Sequence, residues 1–138
     1  MSNGSNNWNV SYSRISWLEF ALKKHDNVAN VTRHDDIIME VERIKGCKII
    51  LICLDEYTLG EAGVYRVLQE FPNVNFISVG GNWNGYTIEA KKLCLSKNLG
   101  LYNSSELTGA LWKNEFWLYH QKDDKGNPIY PYKRAASA

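Results

Sequence analysis

The clearest pattern in the chain is an unbroken apolar run at 48–54, Lys-Ile-Ile-Leu-Ile-Cys-Leu, of strand length and without polar alternation. A strand covered on both faces requires such a run, so 48–54 is read as the central strand of a sheet. A second run, Asn-Phe-Ile-Ser-Val at 75–79, is read as its neighbour. Between them Val64, Leu68 and Phe71 keep a helical period and Pro72 ends it, while Thr58 and Glu61 have the spacing of a capping box. After the second strand, Ile88, Ala90, Leu93 and Cys94 predict a helix capped by Thr87 or Asn84. Leu99 to Tyr102 then predicts a short strand, and Leu107, Ala110 and Leu111 a last helix capped by Ser104 or Ser105.

Upstream, Ser16 and Glu19 match a capping box, and Trp17, Leu18, Ala21 and Leu22 supply a stripe, which predicts a first helix near 16–25. The stretch 28–32 is short and β-branched. From Asp35 or Asp36, the residues Ile37, Ile38, Val41 and Ile44 predict a helix over 36–45 stopped by Gly46. The alternating Ile38, Glu40 and Glu42 allow a second reading, a hairpin turning at Lys45-Gly46. With the helical reading, strands and helices alternate through short connections. The expected fold is then α/β, a three-layer, mainly parallel sheet with helices on both faces.

Three segments follow: a polar arm at 1–12 with Trp8 and Val10 available to pin part of it, an α/β domain at 13–115, and an aromatic-rich tail at 116–138. In the tail, 116–121 and 129–132 flank Asp123-Asp124-Lys125-Gly126-Asn127, which predicts a hairpin or an extended arm packed on the domain. The length of 138 residues suits one core that buries roughly two-thirds of the unfolded chain's surface.

Charge and cysteine content narrow the function classes. A net charge of +1, from 16 basic and 15 acidic residues, gives no global field toward nucleic acid or an anionic membrane, so such binding has to be local. Cys47, Cys53 and Cys94 have no spacing that suggests zinc, and the last two sit in apolar segments as small hydrophobes. No apolar run approaches the ~18 residues of a membrane span, and the expected location is the cytoplasm. No cofactor is indicated.

Ligands of open α/β sheets collect at the carboxyl ends of strands, where helix N-termini present free N–H groups. Two places qualify. Asp55 follows the central strand and Glu61 opens the next helix, a pair able to act as acid and base in a cleft or simply to solvate a turn and cap a helix. The 80–87 loop supplies Gly80, Gly81, Asn82, Trp83, Asn84, Tyr86 and Thr87. Its glycines admit close approach, Trp83 and Tyr86 offer stacking surfaces, and Asn82 and Asn84 offer polar edges. The competing account makes Trp83 a plug for the core. The tail adds Trp117, Tyr119, His120, Tyr130, Tyr132, Lys133 and Arg134, suited to a partner surface or to covering a sheet edge.

From Val74 to Trp112 the chain resembles the end of the restriction-endonuclease-like fold of Mrr-type domains. Tyr86-Thr87, Glu89-Ala90, Leu99 to Tyr102 and Glu106-Leu107 fall where that family places its loop, helix, short strand and last helix. The family's nuclease chemistry needs an acid-x-Lys triplet to hold a divalent metal. The corresponding strand here reads Leu51-Ile52-Cys53-Leu54-Asp55, without the triplet. The resemblance therefore implies a non-catalytic binding or regulatory domain that works with a protein or nucleic-acid partner. The stretch Thr58-Leu59-Gly60-Glu61-Ala62-Gly63 is also similar to nucleoside deoxyribosyltransferase-like enzymes. That likeness implies hydrolysis or transfer at a nucleotide or nucleoside, with Glu61 as nucleophile or base and Asp55 orienting the substrate.

Overall fold

The computed structural model describes residues 4–133. Helix α1 (Tyr12–Lys24) leads into an antiparallel meander of β1 (Val28–His34), β2 (Ile38–Arg43) and β3 (Ile49–Cys53). The chain continues through β4 (Thr58–Leu59), α2 (Glu61–Glu70), β5 (Phe76–Ser78), β6 (Gly85–Tyr86), α3 (Ile88–Ser96), β7 (Gly100–Tyr102) and α4 (Ser104–Leu111). A 3-10 turn (Phe116–Leu118) and a small hairpin of β8 (Gln121–Lys122) and β9 (Pro128–Ile129) complete it. The main sheet has the order β1-β2-β3-β5-β7, and β4 and β6 form a separate parallel pair.

The sheet is mixed and not mainly parallel, which corrects the expected architecture. β1, β2 and β3 run antiparallel, and only β3, β5 and β7 are parallel. The error lies in the 36–45 segment, which is strand β2 and not a helix. Asp35 and Asp36 take positive φ values of 51° and 64°, a left-handed pair that short acidic side chains tolerate, and they turn the chain tightly from β1 into β2. Ile37 and Val41 are buried, as a helical stripe would require, but Ile44 is among the exposed large hydrophobics. The alternation of Ile38, Glu40 and Glu42 and the turn through Lys45-Gly46 describe the segment correctly.

Helix starts also differ from the reading of the sequence. α1 begins four residues before Ser16, capped by Ser11, whose hydroxyl accepts from the Arg14 amide. α2 is capped by Gly60 without a side-chain bond, because Thr58 belongs to β4. α4 is capped by Asn103, which forms a full capping box with Glu106.

The core follows the apolar runs. Every residue of β5 and β7 is buried, as are all of β3 except the half-buried Ile50, so both faces of the central strands are covered. Cys53 and Cys94 are buried with them, and burial pushes each thiol up to about 12. Trp8 and Val10 are buried, and the Trp8 indole donates to the Glu70 carboxylate. Arg134 of the aromatic and basic tail lies outside the described residues. Among the described residues no helix is long and apolar enough to cross a membrane.

Candidate recognition surface

The parallel half of the sheet places the ends of β3, β5 and β7 on one edge, where Asp55, Gly80 and Asn103 follow the three strands. This edge survives the correction of the fold because the strands that form it are the parallel ones. Gly80 has φ +130°, and a Cβ there would meet the Asn84 side chain, so the loop's entry requires glycine.

Asn84 is the latch of the loop. Its buried amide donates to the Val79 carbonyl at 3.0 Å, the Glu56 carbonyl at 2.9 Å and the Asp55 carboxylate at 3.1 Å. Its own carbonyl accepts from the Asn103 side chain, and Asn82 accepts from the Ser104 hydroxyl. Tyr86 is fully buried and donates its hydroxyl to Glu106. Thr87 caps α3 by accepting from the Ala90 amide. The ends of the loop are therefore fixed, and between them Trp83 stands 83% exposed, with its ring off the core.

Removing the latch has a defined consequence. Asn84→Ala leaves the Glu56 carbonyl without its partner, and it is expected to lower stability by about 1–3 kcal/mol. Thermal melting and faster amide exchange in 80–84 are the readouts; an unchanged melt with unchanged exchange would show that the latch does not hold the loop.

Helix α1 forms the facing wall. Its Arg14 guanidinium lies 3.9 Å from the Asp55 carboxylate and close against Gly81, where a Cβ would sit 3.2 Å from it. Ser11, Ser13, Arg14, Trp17 and Asp55 line a shallow cleft of about 320 Å³. Trp17 is half exposed with the Arg14 guanidinium 5.9 Å from its ring centre. On the other side, Tyr57 is exposed and Lys133 lies over its ring at 4.3 Å.

The structure divides the residues named from sequence. Gly80, Gly81, Asn82, Trp83, Asn84 and Asp55 share this edge, whereas Tyr86 and Thr87 serve the interior and the start of α3. Glu61 lies exposed at the start of α2 and makes no side-chain hydrogen bond or ion pair among the described residues. No three His, Cys, Asp or Glu side chains converge on a metal position among the described residues. A larger open groove of about 800 Å³ runs along 113–122, lined in part by Tyr119 and His120 of the tail.

Beneath the loop lies a polar cluster that the sequence did not announce. Lys91 on α3 is 1% exposed and donates to the Leu101 carbonyl at 3.0 Å, with its ammonium 4.0 Å from the ring centre of Tyr102. Burial lowers its pKa to about 8, partly offset by the negative charge of Glu106. Burial likewise raises the pKa of Glu106, opposed by the Asn103 amide, Lys91 and Tyr86. The one advance sign was a lysine between Ala90 and Cys94 on the helix's buried side. No protein-family model, no curated protein and no solved structure matches the chain.

Proposed function

We propose that the chain is a non-catalytic binding domain that recognises a protein partner through the edge built from the 80–84 loop, Asp55 and the start of α1. The observation that carries the reading is Trp83. A tryptophan held 83% exposed on a loop fixed at both ends keeps its largest apolar surface in water at a preorganised position. Covering it with a partner recovers that surface at little ordering cost. Trp17, Tyr57 and Arg14 extend the surface with the residue types that dominate binding hot spots. The Arg14 charge is opposed by Asp55, and the net charge of +1 adds no attraction for phosphates, which favours protein over nucleic acid.

The element order after β3 supports a relationship to Mrr-type endonuclease-like domains. A helix, a strand, a loop ending in Tyr86-Thr87, a helix carrying Glu89-Ala90, a short strand and a last helix follow in turn. β3 carries no acid-x-Lys triplet, so the proposal includes no cleavage of nucleic acid.

The test joins stability to binding. Trp83→Ala is expected to change stability by no more than about 0.5 kcal/mol, as for an exposed site. A loss of about 3–5 kcal/mol would instead mark a core residue. In parallel, a shift assay with single-stranded and duplex DNA and RNA at low ionic strength is expected to show no complex. A salt-sensitive complex that Trp83→Ala weakens would replace the protein partner with nucleic acid.

A further inference from the structure

We infer that the outer edge of β6 is a docking groove for an extended peptide of the pattern Tyr-x-Tyr-Lys, and that the chain's own 130–133 segment is its displaceable resident. This inference does not depend on the Trp83 reading. β6 pairs with β4 on one side, through the Gly85 amide to the Tyr57 carbonyl and the Thr87 amide to the Leu59 carbonyl. That leaves the N–H and C=O of Tyr86 facing the other way. There the tail adds a parallel strand: the Tyr86 amide donates to the Pro131 carbonyl at 3.4 Å, and the Lys133 amide donates to the Tyr86 carbonyl at 2.9 Å. Main-chain pairing of an extended segment at a sheet edge is a recurring mode of peptide recognition.

The groove is shaped for this occupant. A Cβ on Gly85 would collide with the Pro131 carbonyl oxygen and press on the Lys133 side chain, so only glycine admits the strand. The floor is rigid, since Tyr86 is held by both carboxylate oxygens of Glu106. Tyr132 meets Tyr86 edge to face at 5.8 Å, Tyr130 stacks on Tyr132 at 5.0 Å, and Lys133 covers the Tyr57 ring. The occupant lies on the surface and is not buried in the core. Among the described residues it makes these two backbone hydrogen bonds and packs partly on the core through Tyr130, with the Lys91 ammonium 5.7 Å from that ring. All of 128–133 is half-buried or exposed, and the β8–β9 hairpin that precedes it is short. A chain of the same pattern from a partner satisfies the same contacts, and the resident tail competes with it at an effective concentration of the order of millimolar.

The experiment uses the full chain with Tyr130→Ser and Tyr132→Ser, which weakens the resident strand, and a synthetic peptide spanning 127–133. By fluorescence anisotropy the peptide is expected to bind this variant at least tenfold more tightly than the native chain. Adding Gly85→Ala to the variant is expected to abolish that binding, and a peptide with both tyrosines replaced by serine is expected not to bind. Hydrogen exchange on the native chain gives an independent measure: the Lys133 amide is expected to exchange at least tenfold faster than the amides of β3. A folded variant that ignores the peptide, equal binding by native and variant chains, or a variant that fails to fold would each overturn the inference. So would a Lys133 amide that exchanges only as slowly as β3.

Discussion

Glu106→Ala is expected to destabilise the domain by about 2–6 kcal/mol, because it leaves a buried hydroxyl and a buried amide without an acceptor at about 1–3 kcal/mol each. Glu106 is fully buried, accepts the Tyr86 hydroxyl at 3.1 and 3.0 Å, and accepts the Asn103 amide at 3.1 Å to close the capping box of α4. Its removal strands a hydroxyl and an amide and takes away the negative charge that faces Lys91. Glu106→Gln keeps an acceptor for the cap and should cost clearly less. Urea unfolding of the two variants beside the native chain is the check, and a loss below 1 kcal/mol for the alanine variant would show that the cluster does not anchor the loop's floor.

Lys91 gives the second large effect, and it appears as a pH dependence. Burial sets its pKa at about 8 in the folded chain, against 10.5 for the ordinary group. Below pH 8 both states carry the proton and the cost of burying the charge is constant. Between pH 8 and 10 the folded chain has released the proton while the unfolded chain still holds it. At this lysine the unfolded state then binds more protons, so its contribution to stability rises with pH, by at most about 1.4 kcal/mol per unit. Cys53 and Cys94 oppose this from about pH 9, and Tyr86 and Tyr102 above pH 10, because burial keeps these groups protonated in the fold while they ionise in the unfolded chain. The difference between the native chain and Lys91→Met isolates the lysine. Urea midpoints at pH 7, 8, 9 and 10 should diverge above pH 8, and parallel profiles would contradict the assignment.

Particular residues explain how much of this was legible in the sequence. The runs at 48–54 and 75–79 could be assigned because they are continuous, carry β-branched and aromatic residues, and are too short for a buried helix. The 36–45 segment could not be assigned the same way: Ile37 and Val41 satisfy a helical and an alternating period alike. The residues that decide it, Asp35 and Asp36, act through backbone angles. β4 and β6 have two residues each, too few to carry any period, and they exist only because the two loops meet.

The candidate surface shows the same division. Glycines and asparagines around one tryptophan marked the 80–87 loop, and of the two caps expected for α3, Thr87 and Asn84, Thr87 holds the place. Asn103 and Glu106 also have capping-box spacing, but the expected cap was Ser104 or Ser105, the two residues that follow Asn103. Arg14 and Lys91 reach their places through contacts with residues distant in sequence, Asp55 and Leu101 among them, and local patterns do not encode such meetings.

The recognition surface itself is tested most directly by quantitative capture from nuclease-treated extract of the source cell, with the native chain, Trp83→Ala and Tyr65→Ala as parallel baits. Tyr65 is an exposed aromatic on α2, away from the 80–84 loop in sequence, and serves as the control. Loss of a hot-spot residue is worth at least about 2 kcal/mol, or roughly thirtyfold. A protein held by the native and Tyr65→Ala baits and depleted at least tenfold on Trp83→Ala is expected, with all three baits equally folded. Identical captured sets on the native and Trp83→Ala baits would contradict it.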